Sequence, residues 1–380
     1  MPEFDVAEFK RALSAAKGKR REHSQLLREA EISEGSQKLK NRQAIGQVLQ
    51  PFLTQAGLDV DNLNKVLAQN QKALRSNFQQ RKAAAAKYSS SERDALRHAL
   101  ELGRKSLEPL ATRPAAIDGG LSSLLTLPRP LLVWEWNPLG QLKDFVIQPL
   151  NSYAKILVDI PVYGFDNNSG SDENEISFFF FWTNSTGYVS VVNAFSVLSL
   201  NGACELAANY GFFSGDTMTL SLDAWLYPLE LWRSIPPGGN MKSLRVQGDP
   251  LQHQSVLDHF TAAGGGQIFG GGADYENKIF STTPYGVSYG SYGGLSVPPG
   301  ATAGFEVDLT INYSWNGNTL PDEIKADFAD DNLHYYVGCP LVVLEFLTAP
   351  PSMASVQPSS TTTKMAGRAR KQKQRPRRGK

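Results

Sequence analysis

The sequence of 380 residues contains little cysteine, and this scarcity excludes two kinds of site. Cys204 and Cys339 are its two cysteines, and each lies inside an apolar stretch far from the other. Two thiols in a chain of this length provide neither a disulfide framework nor a zinc site. Because free cysteine is one of the most frequently buried residue types, both are predicted to be small buried side chains. A single long-range disulfide is the alternative.

Long apolar runs are also missing. The longest apolar stretch, Ile176–Trp182, is far short of the roughly 20 consecutive apolar residues that a membrane-spanning helix requires. The first residues, MPEFDVAEFKRALSAAKGKRREH, are charged throughout and do not resemble a signal peptide. The sequence therefore predicts a soluble protein without a membrane span, located in the cytoplasm or elsewhere inside the cell, or in an assembled particle.

Recognisable catalytic and metal-binding motifs are absent. Gly286–Gly290 matches the G-x-S-x-G nucleophile pattern, but that motif requires a strand, a sharp turn and a helix, and here it lies in a Tyr/Gly-rich stretch. The triple glycines at 264–266 and 270–272 lack the Lys-Ser/Thr pair of a phosphate-binding loop. His253 and His259 do not have one-face helical spacing, so they are expected to be surface residues. We expect a non-enzymatic protein with no cofactor.

Acidic clusters offer a limited argument for calcium. Asp166, Asn168 and Asp172 place oxygen-bearing side chains at alternate positions, like half of a calcium loop, but the glutamate that completes such a loop is absent. The expected state is a solvated acidic loop without metal, and calcium at these three residues is the alternative. The same expectation applies to a second cluster, formed by Asp322, Glu323, Asp327, Asp330 and Asp331.

Basic and acidic residues are distributed unevenly: basic residues are scarce in the middle of the chain, and acidic residues are absent from its last 17 positions. Residues 1–113 carry 21 Lys/Arg against 13 Asp/Glu, residues 114–363 carry 8 against 24, and residues 364–380 carry 9 basic side chains and no acidic one. The formal net charge of +1 therefore hides a basic head of +8, an acidic body of −16 and a basic tail of +9. This uneven distribution of charge carries information about the binding partners of the protein, and it does not indicate a catalysed reaction.

Residues 1–112 are predicted to form a basic α-helical arm. An amphipathic helix over about 59–87 is indicated by large side chains at three- and four-residue spacing: Leu63, Val66, Leu67, Leu74 and Phe78. A second helix is predicted to begin near Ser91 and to end at Pro109. The earlier segments are poor in large apolar residues, so we expect the arm to pack on the body or on a second copy of the chain.

After a proline-marked linker at 113–130, residues 131–348 are predicted to form an antiparallel β-sandwich. Apolar and polar residues alternate throughout Thr302–Trp315, which indicates a half-buried strand. The fold class is α+β overall, a helical arm followed by an all-β sandwich, and jelly-roll connectivity is one option for it. Further strands are predicted at 217–226, Leu131–Trp136, Tyr153–Ile160, Ile176–Thr183, Tyr188–Leu200 and Tyr335–Leu347.

The stretch Gly264–Gly300 is rich in Gly, Tyr and Ser, the composition of adaptable contact loops. Tyr285, Tyr289 and Tyr292 are its candidate recognition residues. A flexible connection between strands is the alternative.

Residues 349–380 are predicted to be a disordered Pro/Ser/Thr linker and basic tail, because such a composition cannot bury enough apolar area to fold. Cations on a mobile segment displace counterions from phosphates, and without aromatic residues they do not read base sequence. The tail is therefore predicted to bind nucleic acid non-specifically, with the acidic body of the protein as the competing partner. Its candidate binding residues are Lys364, Arg368, Arg370, Lys371, Lys373, Arg375, Arg377, Arg378 and Lys380.

The layout of basic arm, sandwich and basic tail is similar to that of icosahedral virus coat proteins, and it favours a structural protein that assembles as a homo-oligomer. One alternative is a sandwich that recognises carbohydrate or a cell-surface partner, with Trp225, Trp232 and Trp315 as stacking faces. Others are a membrane-active, toxin-like protein, or a tail that serves only solubility or nuclear import.

Overall fold

The structure is a computed structural model that describes positions 9, 11, 13, 14, 17, 18, 33, 37, 40 and 41 and the ranges 44–112, 123–136, 140–161, 169–208, 216–233, 241–246, 255–263, 274–289, 294–316 and 322–347. Two antiparallel sheets form a sandwich-like body, and helical residues of the arm lie on it. None of the helices within these ranges combines the length and apolarity that a membrane crossing needs.

The body is built from strands that alternate with short connections, preceded by one long helix, α1 (Val60–Thr112). In the described ranges the strands are β1 (Ser123–Leu127), β2 (Leu132–Trp136), β3 (Gly140–Val146), β4 (Tyr153–Pro161), β5 (Ser169–Thr183), β6 (Ser190–Ala207), β7 (Thr217–Arg233), β8 (Met241–Val246), β9 (Ser255–Ala263), β10 (Tyr275–Tyr289), β11 (Leu295–Val297), β12 (Thr302–Asn316), β13 (Glu323–Phe328), β14 (Tyr336–Gly338) and β15 (Val342–Phe346).

The first sheet, called sheet A, is organised around β6. One edge of β6 pairs with β10 and β11, and the other pairs with β13, β14 and β15. Beyond them, β4 pairs with β13 and β14, β3 pairs with β4, and β1 pairs with β15. In the second sheet, sheet B, the order is β2, β5, β12, β7, and the far edge of β7 pairs with both β8 and β9.

One hydrophobic core fills the space between the sheets. Alternation along β12 directs Phe305, Val307 and Leu309 inward, where they pack in the same cluster as Leu200 of β6 and Ile156 of β4. Burying this apolar area is the main favourable contribution to folding. The structure confirms the predicted antiparallel strands. Period-two alternation predicts them well because it is set by which face of the strand is buried and does not depend on which strand is the partner.

Strand β12 differs from its prediction in one respect. It was expected to be half buried, but every residue from Ala303 to Leu309 is buried. Glu306 and Asp308, on the polar side of the alternation, are only 2% and 1% exposed. The half-buried prediction is wrong here, since a part of the chain remote in sequence covers the outer face of the strand.

The helical arm also differs from its prediction. Two helices were expected, with a new start near Ser91 and an end at Pro109, but α1 is continuous through both positions to Thr112. A helix cap is a weak local preference, and packing against a sheet overrides it. Gln71 donates to the carbonyl oxygen of Ala208 at 2.8 Å, and Phe78 is fully buried against sheet A.

Three further segments differ from their predictions. Ser123–Leu127, inside the range predicted as linker, is β1 and pairs with β15. The predicted Tyr/Gly-rich loop contains β10, which pairs with β6 along most of its length, because extended Tyr, Ser and Thr residues suit a strand that has a partner. The predicted strand Tyr335–Leu347 is two strands, β14 and β15, separated at Pro340, which lacks a ladder donor.

Both cysteines are free and fully buried, as predicted. Burial raises the pKa of the Cys339 thiol to about 12 and raises the pKa of the Cys204 thiol well above its usual value. Because the thiolate is the reactive form, we expect neither cysteine to react with Ellman's reagent in the native protein at pH 8, and both to react in denaturant. Rapid release of one or two equivalents of thionitrobenzoate from native protein would contradict this burial.

Gly202 lies where β6, β10 and β13 meet, and it leaves no room for a side chain. A methyl group there would lie 2.6 Å from the carbonyl oxygen of Asp327 and would overlap the ring of Phe328. We expect Gly202→Ala to lower the free energy of unfolding by about 2 kcal/mol, as overpacking typically does. Gly286→Ala on β10 is the matched control, since a methyl group there meets nothing within 4 Å. Urea denaturation of both variants measures the difference, and equal midpoints would contradict the packing described here.

Candidate functional site on the outer face of sheet B

Buried carboxylates lie on the outer face of sheet B. The strand register pairs Asp308 of β12 with Ser177 of β5, and it pairs Thr310 with both Glu175 and Asp223. Residues paired across antiparallel strands project from the same face, so these acidic side chains point away from the core together. A carboxylate on an outer face normally contacts water, yet Glu175, Asp223 and Asp308 are all buried.

The N-terminal segment is described at positions 9, 11, 13, 14, 17 and 18, and its buried side chains lie on this face. Phe9, Leu13 and Lys17 are four residues apart, so they form one stripe of a helix. The ring of Phe9 packs edge-on against Phe179 and Phe181 of β5, with centroid distances of 5.4 and 5.1 Å. These contacts anchor the apolar end of the stripe.

Lys17 forms the polar end of the stripe and is 4% exposed. Its ammonium forms ion pairs with Glu175 and Glu306 and donates a hydrogen bond to Ser177 Oγ at 2.9 Å. It also lies 4.3 Å from the ring centroid of Trp134 on β2, a cation–π contact. The ammonium therefore contacts two carboxylates, a hydroxyl and an aromatic face.

Ser177 connects the two glutamates. Its hydroxyl lies 2.8 Å from Glu306 Oε1 and 3.1 Å from Glu175 Oε1, so it accepts from Lys17 and donates to one carboxylate. Ligand oxygens of Glu175, Glu306 and Asp308 all lie within 4.8 Å of one another, close enough for a metal ion to be considered. Lys17 already lies among these carboxylates, so the arrangement is suited to docking a basic side chain.

A similar contact exists on sheet A. Arg75 of α1 forms ion pairs with Glu323 at 3.2 Å and with Glu205 at 3.8 Å. The phenol of Tyr275 donates to Glu205 at 3.0 Å. Burial raises the pKa of Glu323, an effect that Arg75 opposes, and burial together with the Glu205 charge raises the pKa of Tyr275. On both sheets, a basic side chain of the arm meets a pair of carboxylates of the body.

The cavity beneath the C-terminal half of α1 is small. It lies against sheet A, is lined by residues that include Arg93, Leu96, Tyr336 and Pro340, and has a volume of about 30 Å³. That is room for about one water molecule, whereas ligand pockets usually measure hundreds of cubic ångströms. This cavity does not accommodate an organic substrate.

The structure describes some of the site residues that the sequence indicated. Tyr285 and Tyr289 lie on β10, partly buried against the core, so they are strand residues and not members of a loop. Asp172 lies on β5 and accepts a hydrogen bond from the Glu173 amide at 2.8 Å. Outside the described residues lie the tail cations Lys364 to Lys380, Tyr292, His253, Asp166 and Asn168.

The second acidic cluster is only partly solvated. Asp322 and Asp327 are buried, which contradicts the expectation of a solvated loop. Asp327 and Asp330 accept backbone hydrogen bonds from residues 329–333, and Asp331 forms an ion pair with Lys155. These carboxylates stabilise a turn. His259, predicted at the surface, is exposed on β9, so it is not part of the helix on which a metal-binding role was considered.

Sequence reasoning missed the Lys17 site. Its ion pairs join residues 158 and 289 positions apart, and no local pattern predicts such a contact. Two signals were available, the four-residue spacing of Phe9, Leu13 and Lys17, and the placement of Glu306 and Asp308 on one face of an alternating strand. Neither signal identifies the other as its partner.

Comparisons with known proteins identify no family. No protein-family model and no curated protein sequence matches the chain. Among solved structures, matches include a carbohydrate-binding module studied for specific mannan recognition, TmCBM27, with a TM-score of 0.18 and 10% identity over 59% of this chain and 97% of that one. A structure titled CBM4 has a TM-score of 0.12 and 9% identity over 55% and 86%. TmCBM61 in complex with beta-1,4-galactotriose has a TM-score of 0.14 and 10% identity, over 61% of this chain and 94% of that one. Likenesses this low carry no argument about function.

The Lys17 contact can be tested by removing the ammonium. In Lys17→Ala the buried carboxylates lose their cation, which costs several kcal/mol, so we expect the segment to leave the face and the carboxylates to become hydrated. Hydrogen exchange measured by mass spectrometry should be at least about tenfold faster for the amides of positions 9–18, since a loss of 1.4 kcal/mol already gives that factor. The control is Lys72→Ala, on an exposed position of α1. Unchanged exchange in Lys17→Ala would show that the ion pairs do not hold the segment.

Proposed function

We propose that the protein is a non-enzymatic assembly subunit, with a jelly-roll body that carries a docked basic arm and a basic tail that binds nucleic acid without sequence specificity. The observation that carries the proposal is the order of the strands, combined with a body whose outer faces bind basic segments.

The strand order supports a jelly roll. Along the chain, eight strand positions follow one another: β4, β5, β6, β7, β9, β10, β12 and the run β13 to β15. In sheet A the order is first, eighth, third, sixth, and in sheet B it is second, seventh, fourth, fifth. This order matches the one expected for two interlocked Greek keys, an arrangement found in viral capsid, lectin and cupin domains, and it supports the proposed jelly roll. The fold alone does not choose among these functions.

Charge supports nucleic acid as the partner of the tail. The body is acidic, but Lys17 of the arm already pairs with Glu175 and Glu306 on sheet B, and Arg75 pairs with Glu205 and Glu323 on sheet A, so each cation offsets one of two negative charges. Fewer carboxylates are then available to hold the tail against the body. A phosphate backbone offers a denser line of negative charge than the remaining scattered carboxylates.

Carbohydrate recognition is the second candidate. Trp225 and Tyr227 stack on the outer face of sheet B with an interplanar angle of 14°, and Trp225 is only half-buried. A flat aromatic face with a polar rim is suited to a sugar ring. Trp315, also considered as a stacking face, is 8% exposed and stacks on Tyr313, so it is not available. The side chain of Trp232 lies outside the described residues.

Removing the tail tests the primary proposal. A chain that ends at Thr363 lacks nine basic side chains, and we expect it to lose most of its affinity for single- and double-stranded nucleic acid in gel-shift titrations. The full chain should show a log–log salt slope of up to about −8 on duplex, since each neutralised phosphate contributes about −0.9. The control is a full-length chain in which the order of the tail residues is permuted, and it should bind as the natural chain does. Equal affinities of the truncated and full chains would rule out the tail as the binding element.

A glycan array separates the two candidates. Glycan binding that survives tail removal and is lost in Trp225→Ala would favour carbohydrate recognition over nucleic-acid binding.

A further inference from the structure

We propose that the outer face of sheet B is the binding site for the N-terminal segment of a second copy of this chain, so that two subunits exchange positions 9–18. The inference deepens the assembly proposal by naming the partner and its site, and it rests on that proposed function.

The contact is compact and can be separated from the rest of the arm. Three side chains at four-residue spacing account for the described burial: Phe9, Leu13 and Lys17. The long helix α1 packs elsewhere, on sheet A, so the two parts of the arm contact different faces of the body. A short element with its own binding face is the kind that subunits exchange at little cost, because every contact of the closed form is kept in the exchanged form.

The site selects this segment over the tail. At one end, Phe179, Phe181 and Leu132 require an aromatic or aliphatic side chain, and at the other end the carboxylates require a cation. The tail at 364–380 supplies cations, but Met365 is its one large apolar side chain. It therefore lacks the pair of apolar side chains that Phe9 and Leu13 place at the apolar end, and it does not satisfy both ends. The N-terminal segment satisfies both, so the occupant is this segment from one copy or another.

The chain is long enough for exchange. About 40 residues separate Gly18 from Val60, and even a continuous helix of that length spans about 60 Å. A compact body of about 220 residues has a radius of gyration of about 17 Å, and hence a diameter of about 45 Å. The same face of an adjoining copy therefore lies within reach of the segment.

A second observation favours exchange over a closed single chain. The helical stretch 44–55, between the segment and α1, exposes Ile45, Val48 and Phe52 by 49%, 63% and 64%. These residues are three and four positions apart, so they form one uncovered apolar face. Two chains that exchange their segments bring their 44–55 stretches together, and the two faces can then cover each other.

Mixed-isotope cross-linking tests the proposal on the natural chain. Unlabelled and ¹⁵N-labelled full-length protein are unfolded, mixed in equal amounts, refolded without nucleic acid and treated with a carbodiimide, which joins an ammonium to a contacting carboxylate. Exchange predicts that about half of the peptides joining Lys17 to Glu175 or Glu306 pair one labelled with one unlabelled chain. If all such peptides are uniformly labelled or unlabelled, the segment binds its own body and the proposal is overturned.

A charge swap gives a second measurement, which does not require the buried ammonium to react. Lys17→Glu alone and the double variant Glu175→Lys with Glu306→Lys should each lose the contact by repulsion, whether it forms within or between chains. Co-expressed, each segment fits the face of the other chain. We expect a tagged Lys17→Glu chain to retain at least about tenfold more of the double variant than of a second Lys17→Glu chain, a factor that corresponds to about 1.4 kcal/mol.

Equal retention of the two partners would overturn the exchange. The refolding mixture contains no nucleic acid, and all chains compared in the retention experiment carry the same tail, so a negative result leaves the gel-shift test of the tail unaffected. Conversely, a tail that does not bind nucleic acid does not alter the isotope pattern, and the two proposals fail separately.

Discussion

The buried negative charge at the centre of sheet B must be balanced by a cation. Glu306 and Asp308 lie side by side on the outer face of β12, beneath a covering layer of protein, and Glu175 lies next to them on β5. Carboxylates removed from water in this way are stable only when they are paired and hydrogen-bonded. Among the described residues, Lys17 supplies positive charge at this position, and its ion pairs link the placement of the N-terminal segment to the burial of the outer face of β12.

The charge blocks of the sequence acquire a physical meaning in this arrangement. A basic head and an acidic body are complementary in charge, and among the described residues Lys17 joins them on sheet B and Arg75 joins them on sheet A. Breaking the Lys17 pairs is costly because it leaves an uncompensated buried charge, whereas an intact buried pair adds little net stability. The Arg75–Glu323 pair is about one third exposed, so solvent weakens it. The pairs therefore contribute more to where the arm lies than to how stable the body is.

Most of the body was predictable because its signals are local. The alternation in Thr302–Asn316 identifies β12 from neighbouring residues alone, and the apolar surroundings of Cys204 and Cys339 predict their burial. The burial of Glu306 was not predictable, since its partner Lys17 is 289 residues away. The same alternation of apolar and polar residues is expected when water contacts the outer face of the strand. Strand β10 was missed for a related reason, because a Tyr/Gly/Ser composition suits a loop until β6 supplies the ladder that makes it a strand.

The same charge accounting bears on the tail. The arm carries +8 against the −16 of the body, so the docked arm offsets about half of the body's charge and leaves a residual attraction for the +9 of the tail. Salt screens an attraction between solvated charges once their separation exceeds the Debye length of about 8 Å at physiological ionic strength. A nucleic acid instead presents a charge about every 1.7 Å of duplex, together with counterions whose release favours binding. Under the proposed function, docking of the arm shifts the competition for the tail from the body towards phosphate, and a chain whose arm has left the acidic faces is expected to hold its own tail more strongly.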